Sequence, residues 1–181
     1  MRRHGLRVDA VASRDLARAR DFAAEFGIAR AYGDYQALCA DPDIDAIYIA
    51  SPHPFHAKQA LLAISHGKHV LVEKAFAMNA RQAQTVLDAA SARGVIALEA
   101  MWVRYLPYMA VIQNWLAEGH IGRVRAVSAD RSTILSTDPT HRVRAIELGG
   151  GAILDVGVYP VAFVQGLLGA PIAIAARGRL T

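Results

Sequence analysis

DAIYIAS, residues 45–51, is the stretch on which the fold turns. It is a near-continuous apolar run, short enough for a strand, and such runs suit parallel strands buried on both faces. Residues 53–66 read as a helix stopped by Gly67, and HVLVE, 69–73, reads as a second strand. The same alternation extends in both directions. Upstream, LRVDAVAS (6–13) reads as a strand, 15–26 as a helix closed by Gly27, and 34–39 as a short helix. Downstream, Asn79 can cap a helix running to Arg93, Gly94 can stop it, and 95–99 reads as a strand. Four strands and their helices in the first 100 residues predict an α/β fold, a doubly wound parallel sheet, with 6–13 exposed along one side.

After Met101 the rhythm changes. A helix is expected over 107–118, a strand over 123–132 and a polar loop over 133–147. Triple glycine at 149–151 then leads into an apolar helix over 152–168 and a strand-like IAIAARGRL over 172–180. The division is thus a partial dinucleotide-binding domain, 1–100, and the start of an α+β substrate domain, 101–181.

Composition narrows the function. With 54% hydrophobic and 20% charged residues the chain reads as globular. Of its 20 basic residues only Lys58, Lys68 and Lys74 are lysines; the 17 arginines are scattered, without the basic stripe that nucleic-acid binding needs. Cys39 is alone, which excludes an intramolecular disulfide and makes a reducing cytoplasm the default compartment. No apolar run approaches the roughly 20 residues of a membrane span, so a soluble protein is expected. His53-x-x-His56 and His66-x-x-His69 have metal-like spacing, but no Cys cluster or His-Glu-x-x-His pattern accompanies them, and no metal is expected.

A complete dinucleotide fold opens with a strand and a glycine-rich turn whose amides hold the pyrophosphate. No G-x-G-x-x-G occurs in this chain. Its first strand instead runs into Ser13-Arg14, the place where the second strand of such a fold meets the adenosine ribose; an arginine there can pair with a 2′-phosphate. A solvated arginine at a helix start is the plainer alternative.

Four motifs stand in register: IYIASPHPFH (47–56), HGKHVLVEKAF (66–76), EAMWVRYLP (99–107) and GGGAILDVGVYPV (149–161). In this order they resemble the Gfo/Idh/MocA oxidoreductase family, leaning toward its branch of trans-dihydrodiol and NADP-linked D-xylose dehydrogenases. The resemblance implies a Rossmann-like domain that binds NADP, with NAD as the alternative. It also implies hydride transfer to or from a sugar, polyol or diol hydroxyl, and a full-length form that pairs into homo-oligomers. By the same resemblance Ser51, Pro52, His53 and His56 flank the nicotinamide and ribose, with Ser13, Arg14, Glu73, Lys74 and Trp102 completing the cofactor site. Glu73 and Lys74 sit at the reaction centre, and Asp155 and Tyr159 face them.

The residue types suit that chemistry. Oxidising a secondary alcohol sends a hydride to the nicotinamide while a base takes the hydroxyl proton, and lysine is a base whose affinity for its proton burial and nearby cations can tune. Lys74 follows a strand's carboxyl end, where open α/β sheets place ligands. Asp155 and Tyr159 lie four apart on an expected helix, hence on one face, and all three residues are expected to converge on one cleft.

Three departures from the family matter. The opening strand and glycine turn are missing, and the substrate domain of the family continues well past residue 181. Ala75 stands where a proline usually follows the catalytic lysine; because a cis bond to a non-proline costs about 3 kcal/mol, a trans Lys74–Ala75 bond with Lys74 misdirected is expected. The competing reading is therefore a non-catalytic or degenerate piece of such an enzyme with weak or no cofactor binding.

Overall fold

The computed structural model describes residues 5–178, in two compact units, 1–100 and 101–181. In the first unit strands and helices alternate. β1 (Ala10–Ala12), α1 (Leu16–Phe26), β2 (Arg30–Tyr32), α2 (Tyr35–Ala40) and β3 (Ala46–Ile49) are followed by a 3₁₀ turn (His53–Phe55) and α3 (His56–Ser65). Then come β4 (His69–Val72), α4 (Ala80–Arg93) and β5 (Ala97–Glu99). Local chemistry explains the boundaries. The Asp15 carboxylate accepts from the Ala17 and Arg18 amides, Asp34 caps α2 and Asn79 caps α4. Gly27 and Gly94 close α1 and α4 in the left-handed region, at φ 59° and 66°, which a side chain would oppose.

Every strand pairing is parallel: β1 with β2, and β3-β4-β5. These two sheets are the flanks of the doubly wound order, which places its first strand between them; no described strand joins β1 to β3. The single four-stranded sheet read from the sequence is therefore corrected, among the described residues, to five strands in two sheets, with β2 the addition. The first strand is also shorter than 6–13, covering 10–12 only. Leu6 and Val8 are 62% and 39% exposed, as expected for that segment.

The core lies between β3-β4 and the helices α3 and α4. Ile47, Ile49, Val70 and Val72 point into it and meet Ala60, Ala63 and Ile64 of α3 and Val86 and Ala90 of α4. Burying Ile64, Val72 and Val86 completely contributes about 1.5–3 kcal/mol each. The expected burial of both sheet faces does not hold. β3 and β4 alternate exposed and buried residues, because the described helices cover one face and Tyr48 and Leu71 lie on the other.

The second unit is helical. A 3₁₀ turn (Trp102–Tyr105) leads to α5 (Pro107–Ala117); a further 3₁₀ turn (Ile146–Leu148), a π-helical turn (Ile153–Gly157) and α6 (Val158–Leu168) come after it. The strands expected over 123–132 and 172–180 are not formed within the described residues, and 179–181 lie outside them. A ladder needs a hydrogen-bonded neighbour, and neither segment has one among the described residues. By length and composition alone Ile146–Leu168, 23 residues at mean hydropathy 1.6, is apolar enough to cross a membrane, which corrects the expectation that no run reaches that length. It is not one continuous helix. Gly149 and Gly151 at φ 75° and 131° interrupt it, and the buried Asp155 carries an ion pair inside it.

Candidate functional site

In the first unit the polar residues gather beyond the carboxyl ends of the parallel strands, where open α/β sheets bind ligands. Ser13 and Arg14 follow β1; the Ser13 hydroxyl accepts from the Asp15 amide, which ties the turn to the start of α1. The Arg14 guanidinium lies 5.8 Å over the Phe55 ring, so the turn after β1 meets the turn after β3 across the gap between the two sheets. Arg14 makes no ion pair among the described residues, and its N–H groups are available to an anion such as a 2′-phosphate. In the turn after β3, Ser51 donates to the Gln59 side chain at 2.8 Å and Pro52 opens the 3₁₀ turn. The polar set beyond β1, β3 and β4 therefore lies where a dinucleotide fold holds its cofactor.

The turn after β4 is held from several sides. Tyr48 donates to Glu73 at 2.5 Å, and the other Glu73 carboxylate oxygen accepts the Lys74 amide at 3.1 Å. The tyrosine contact is a diagonal cross-strand one, since Tyr48 pairs with Leu71 in the parallel register. Glu99, at the end of β5, accepts from the Phe76 amide at 2.9 Å. The Lys74–Ala75 peptide is cis, which corrects the trans bond expected from the missing proline.

From the other side come two imidazoles. The His53 Nε2 lies 3.2 Å from the Lys74 carbonyl, the His56 Nδ1 2.8 Å from the Ala75 carbonyl and the His56 Nε2 2.6 Å from the Ser51 carbonyl. Both histidines are buried, His56 completely. Among the described residues no group of three metal-ligating side chains forms, and at least one nitrogen of each imidazole is committed to the backbone.

Partial burial, and then the Glu73 carboxylate it faces, push the Tyr48 hydroxyl up to about 12. The phenol is thus a donor throughout the neutral range. Because its affinity for the proton is raised on folding, its contribution is intact below the ordinary value of 10.0 and fades as pH rises through about 12. An alkaline ultraviolet titration, with Tyr48→Phe as the difference sample, is expected to show this tyrosine ionising after an ordinary one; a normal midpoint would contradict the Glu73 contact.

In the second unit Trp102 donates to the Tyr159 hydroxyl at 3.4 Å, with the rings edge-on at 5.9 Å. The Arg131 guanidinium lies 5.3 Å over the Tyr159 ring. Tyr159 and Arg131 line a cavity of about 420 Å³ with Tyr108, Met109, Gln113 and Phe163. Asp155 is not among its lining residues and pairs with Arg142 at 3.3 Å. Asp155 lies within the π turn and Tyr159 at the start of α6.

The backbone before that turn is closely folded. Gly150 donates to the Ala145 carbonyl and Gly151 to that of Val143, and a Cβ on Gly150 would sit 2.5 Å from the Arg144 carbonyl carbon. Gly150→Ala is expected to cost about 1–3 kcal/mol by displacing this backbone, read as a lower denaturation midpoint. An unchanged midpoint would show that the turn yields freely.

Lys74 therefore belongs to the first unit, while Asp155, Tyr159 and Trp102 belong to the second. Motif reading did not single out Tyr48, Phe55, Glu99, Arg131 or Arg142. Only Tyr48 carried a usable signal, as an outward residue of β3 two steps diagonal from Glu73.

Comparison with known proteins bears on both units. Residues 1–101 match the GFO_IDH_MocA model, an oxidoreductase family with an NAD-binding Rossmann fold, and residues 109–181 match the GFO/IDH/MocA C-terminal domain. The trans-1,2-dihydrobenzene-1,2-diol dehydrogenase of Xenopus laevis is 42% identical over 175 residues, 96% of this chain and 52% of that protein. Among solved structures, the 3-ketoreductase KijD10 of Actinomadura kijaniata, in complex with NADP and TDP-benzene, superimposes with a TM-score of 0.80 at 34% identity, over 90% of this chain and 49% of that one. It has also been solved with a lysine changed to alanine and with a tyrosine changed to phenylalanine. Levoglucosan dehydrogenase in complex with NADH and levoglucosan gives 0.76 at 26% identity, over 89% and 44% of the two chains. The chain spans about half the length of the curated relatives it matches.

Proposed function

The chain belongs to the Gfo/Idh/MocA oxidoreductase family, and from that premise we propose that it is the cofactor-binding and catalytic part of an NADP-dependent dehydrogenase acting in the cytoplasm on a sugar, polyol or diol hydroxyl. The observation that carries this reading is the fixed Glu73-Lys74 turn at the carboxyl end of β4, beside the Ser51 turn and in the same unit as Arg14, which makes no ion pair among the described residues. The similar proteins act on a dihydrodiol, levoglucosan or a keto compound, which supports a small oxygenated substrate.

Each residue then has a task. When bound, the nicotinamide accepts or returns a hydride. Lys74 takes the hydroxyl proton in oxidation and gives it back in reduction; the bonds to its amide and carbonyl fix the point from which its side chain starts. Tyr159 shares that hydroxyl, its own oxygen set by Trp102, and Asp155 holds charge opposite Arg142. Lysine and tyrosine are also the two residue types replaced in the ketoreductase structures. Ser13 and Arg14 receive the ribose and its 2′-phosphate, while the Ser51–His53 turn, Glu73 and Trp102 border the nicotinamide end.

Calorimetric titration of the chain with NADP and with NAD tests the reading. NADP is expected to bind more tightly. Binding of neither, in a chain shown to be folded, would favour the non-catalytic alternative.

A further inference from the structure

The two imidazoles of the His53-x-x-His56 motif are committed to backbone, and the commitment of His56 has a chemical consequence. Its ring is fully buried at the first residue of α3. Nδ1 lies 2.8 Å from the Ala75 carbonyl oxygen and Nε2 2.6 Å from the Ser51 carbonyl oxygen. A carbonyl oxygen only accepts. A neutral imidazole has one N–H and one lone pair, so one of these contacts would set a lone pair against a carbonyl oxygen, with no water able to intervene. Both contacts are bonds only if both nitrogens carry hydrogen.

Two effects oppose a cation there: burial, and the positive end of α3. Two carbonyl dipoles aimed at the ring along its N–H directions counter them. The groups bonded to the two ends of the ring are the turn after β3 and the turn after β4, which carry the proposed nicotinamide contacts and Lys74. His53 adds a bond to the preceding carbonyl, that of Lys74, and its ring meets His56 edge-on at 5.6 Å.

We propose that His56 is a positioning residue that acts as a doubly protonated ring, joining the Ser51 turn to the Lys74–Ala75 turn so that cofactor contacts and Lys74 are set by one side chain. The protonation claim stands on geometry alone; the claim about turnover rests on the proposed dehydrogenase activity.

Two measurements test it. Nitrogen-15 spectra of the histidine-labelled chain at neutral pH are expected to show hydrogen on both His56 ring nitrogens, assigned by comparison with His56→Gln. One bare nitrogen would overturn the proposal whether or not the chain binds a cofactor. His56→Gln retains a single donor group and is expected to move the backbone amide signals of both Ser51–His53 and Lys74–Phe76; signals unmoved on either side would also overturn it. In the active enzyme the same variant should lose about a hundredfold in kcat, the cost of a misplacement of about 1 Å at the reacting group, with a smaller change in KM. Failure of NADP binding by the wild-type chain would instead count against the dehydrogenase reading, and would leave the spectra to decide the state of His56.

Discussion

Lys74→Ala is expected to lower turnover of the active enzyme by at least about a hundredfold, the low end of what a positioned general base contributes. The fall should lie in kcat, and NADP affinity should change little, because the lysine acts on the substrate proton and the phosphate contacts proposed for Arg14 lie elsewhere in the unit. Lys74→Arg separates proton transfer from charge. A guanidinium keeps the positive charge but does not release its proton in this range, so the arginine variant should be nearly as slow as the alanine one. Steady-state kinetics of both variants decide it. An unaffected rate in Lys74→Ala would remove the proton-transfer role, and a large recovery in Lys74→Arg would recast the residue as an electrostatic support for the substrate oxygen.

The sequence disclosed those features that local chemistry encodes. Asp15, Asp34 and Asn79 cap the helices they were expected to start, and Gly27 and Gly94 stop helices where φ turns positive. The apolar runs at β3 and β4 formed parallel strands. What failed depended on partners remote in sequence. Arg30–Tyr32 is too short to show a period and became a strand only by lying beside β1. Residues 123–132 have strand composition but no ladder partner among the described residues, and the uncovered face of β3 cannot be told from a covered one by its composition.

The site divides in the same way. The strand-end positions of Arg14, Ser51 and Lys74 follow from the order of elements. The contacts that fix them, from Tyr48 to Glu73 and from two imidazoles to backbone carbonyls, involve partners that no spacing rule names. A His-x-x-His spacing suggests metal ligation when read by itself; here the acceptors are carbonyl oxygens 19 and 21 residues away.

Arg14 carries the second large expected effect, on cofactor choice. Its guanidinium rests over Phe55 and makes no ion pair among the described residues, so meeting a 2′-phosphate would not require breaking one. A charge-assisted bond contributes about 1.5–3 kcal/mol, equivalent to about tenfold to a hundredfold in affinity. Arg14→Ala is accordingly expected to weaken NADP by that factor and leave NAD nearly unchanged, since NAD has a hydroxyl where NADP has the phosphate. The side chain is exposed, so salt should screen the interaction and bring the NADP loss toward the lower end. Arg14→Lys should recover part of the preference but not all, a point charge lacking the two-pronged match to phosphate. Phe55→Leu, which removes the ring under the guanidinium, should fall between wild type and Arg14→Ala, because the arginine remains but is less well placed. Calorimetric titration of the four proteins with both cofactors at two salt concentrations provides the comparison. Equal weakening of NADP and NAD in Arg14→Ala would move Arg14 to a part of the cofactor that both share, and an unchanged NADP affinity would leave it a solvated residue at the start of α1.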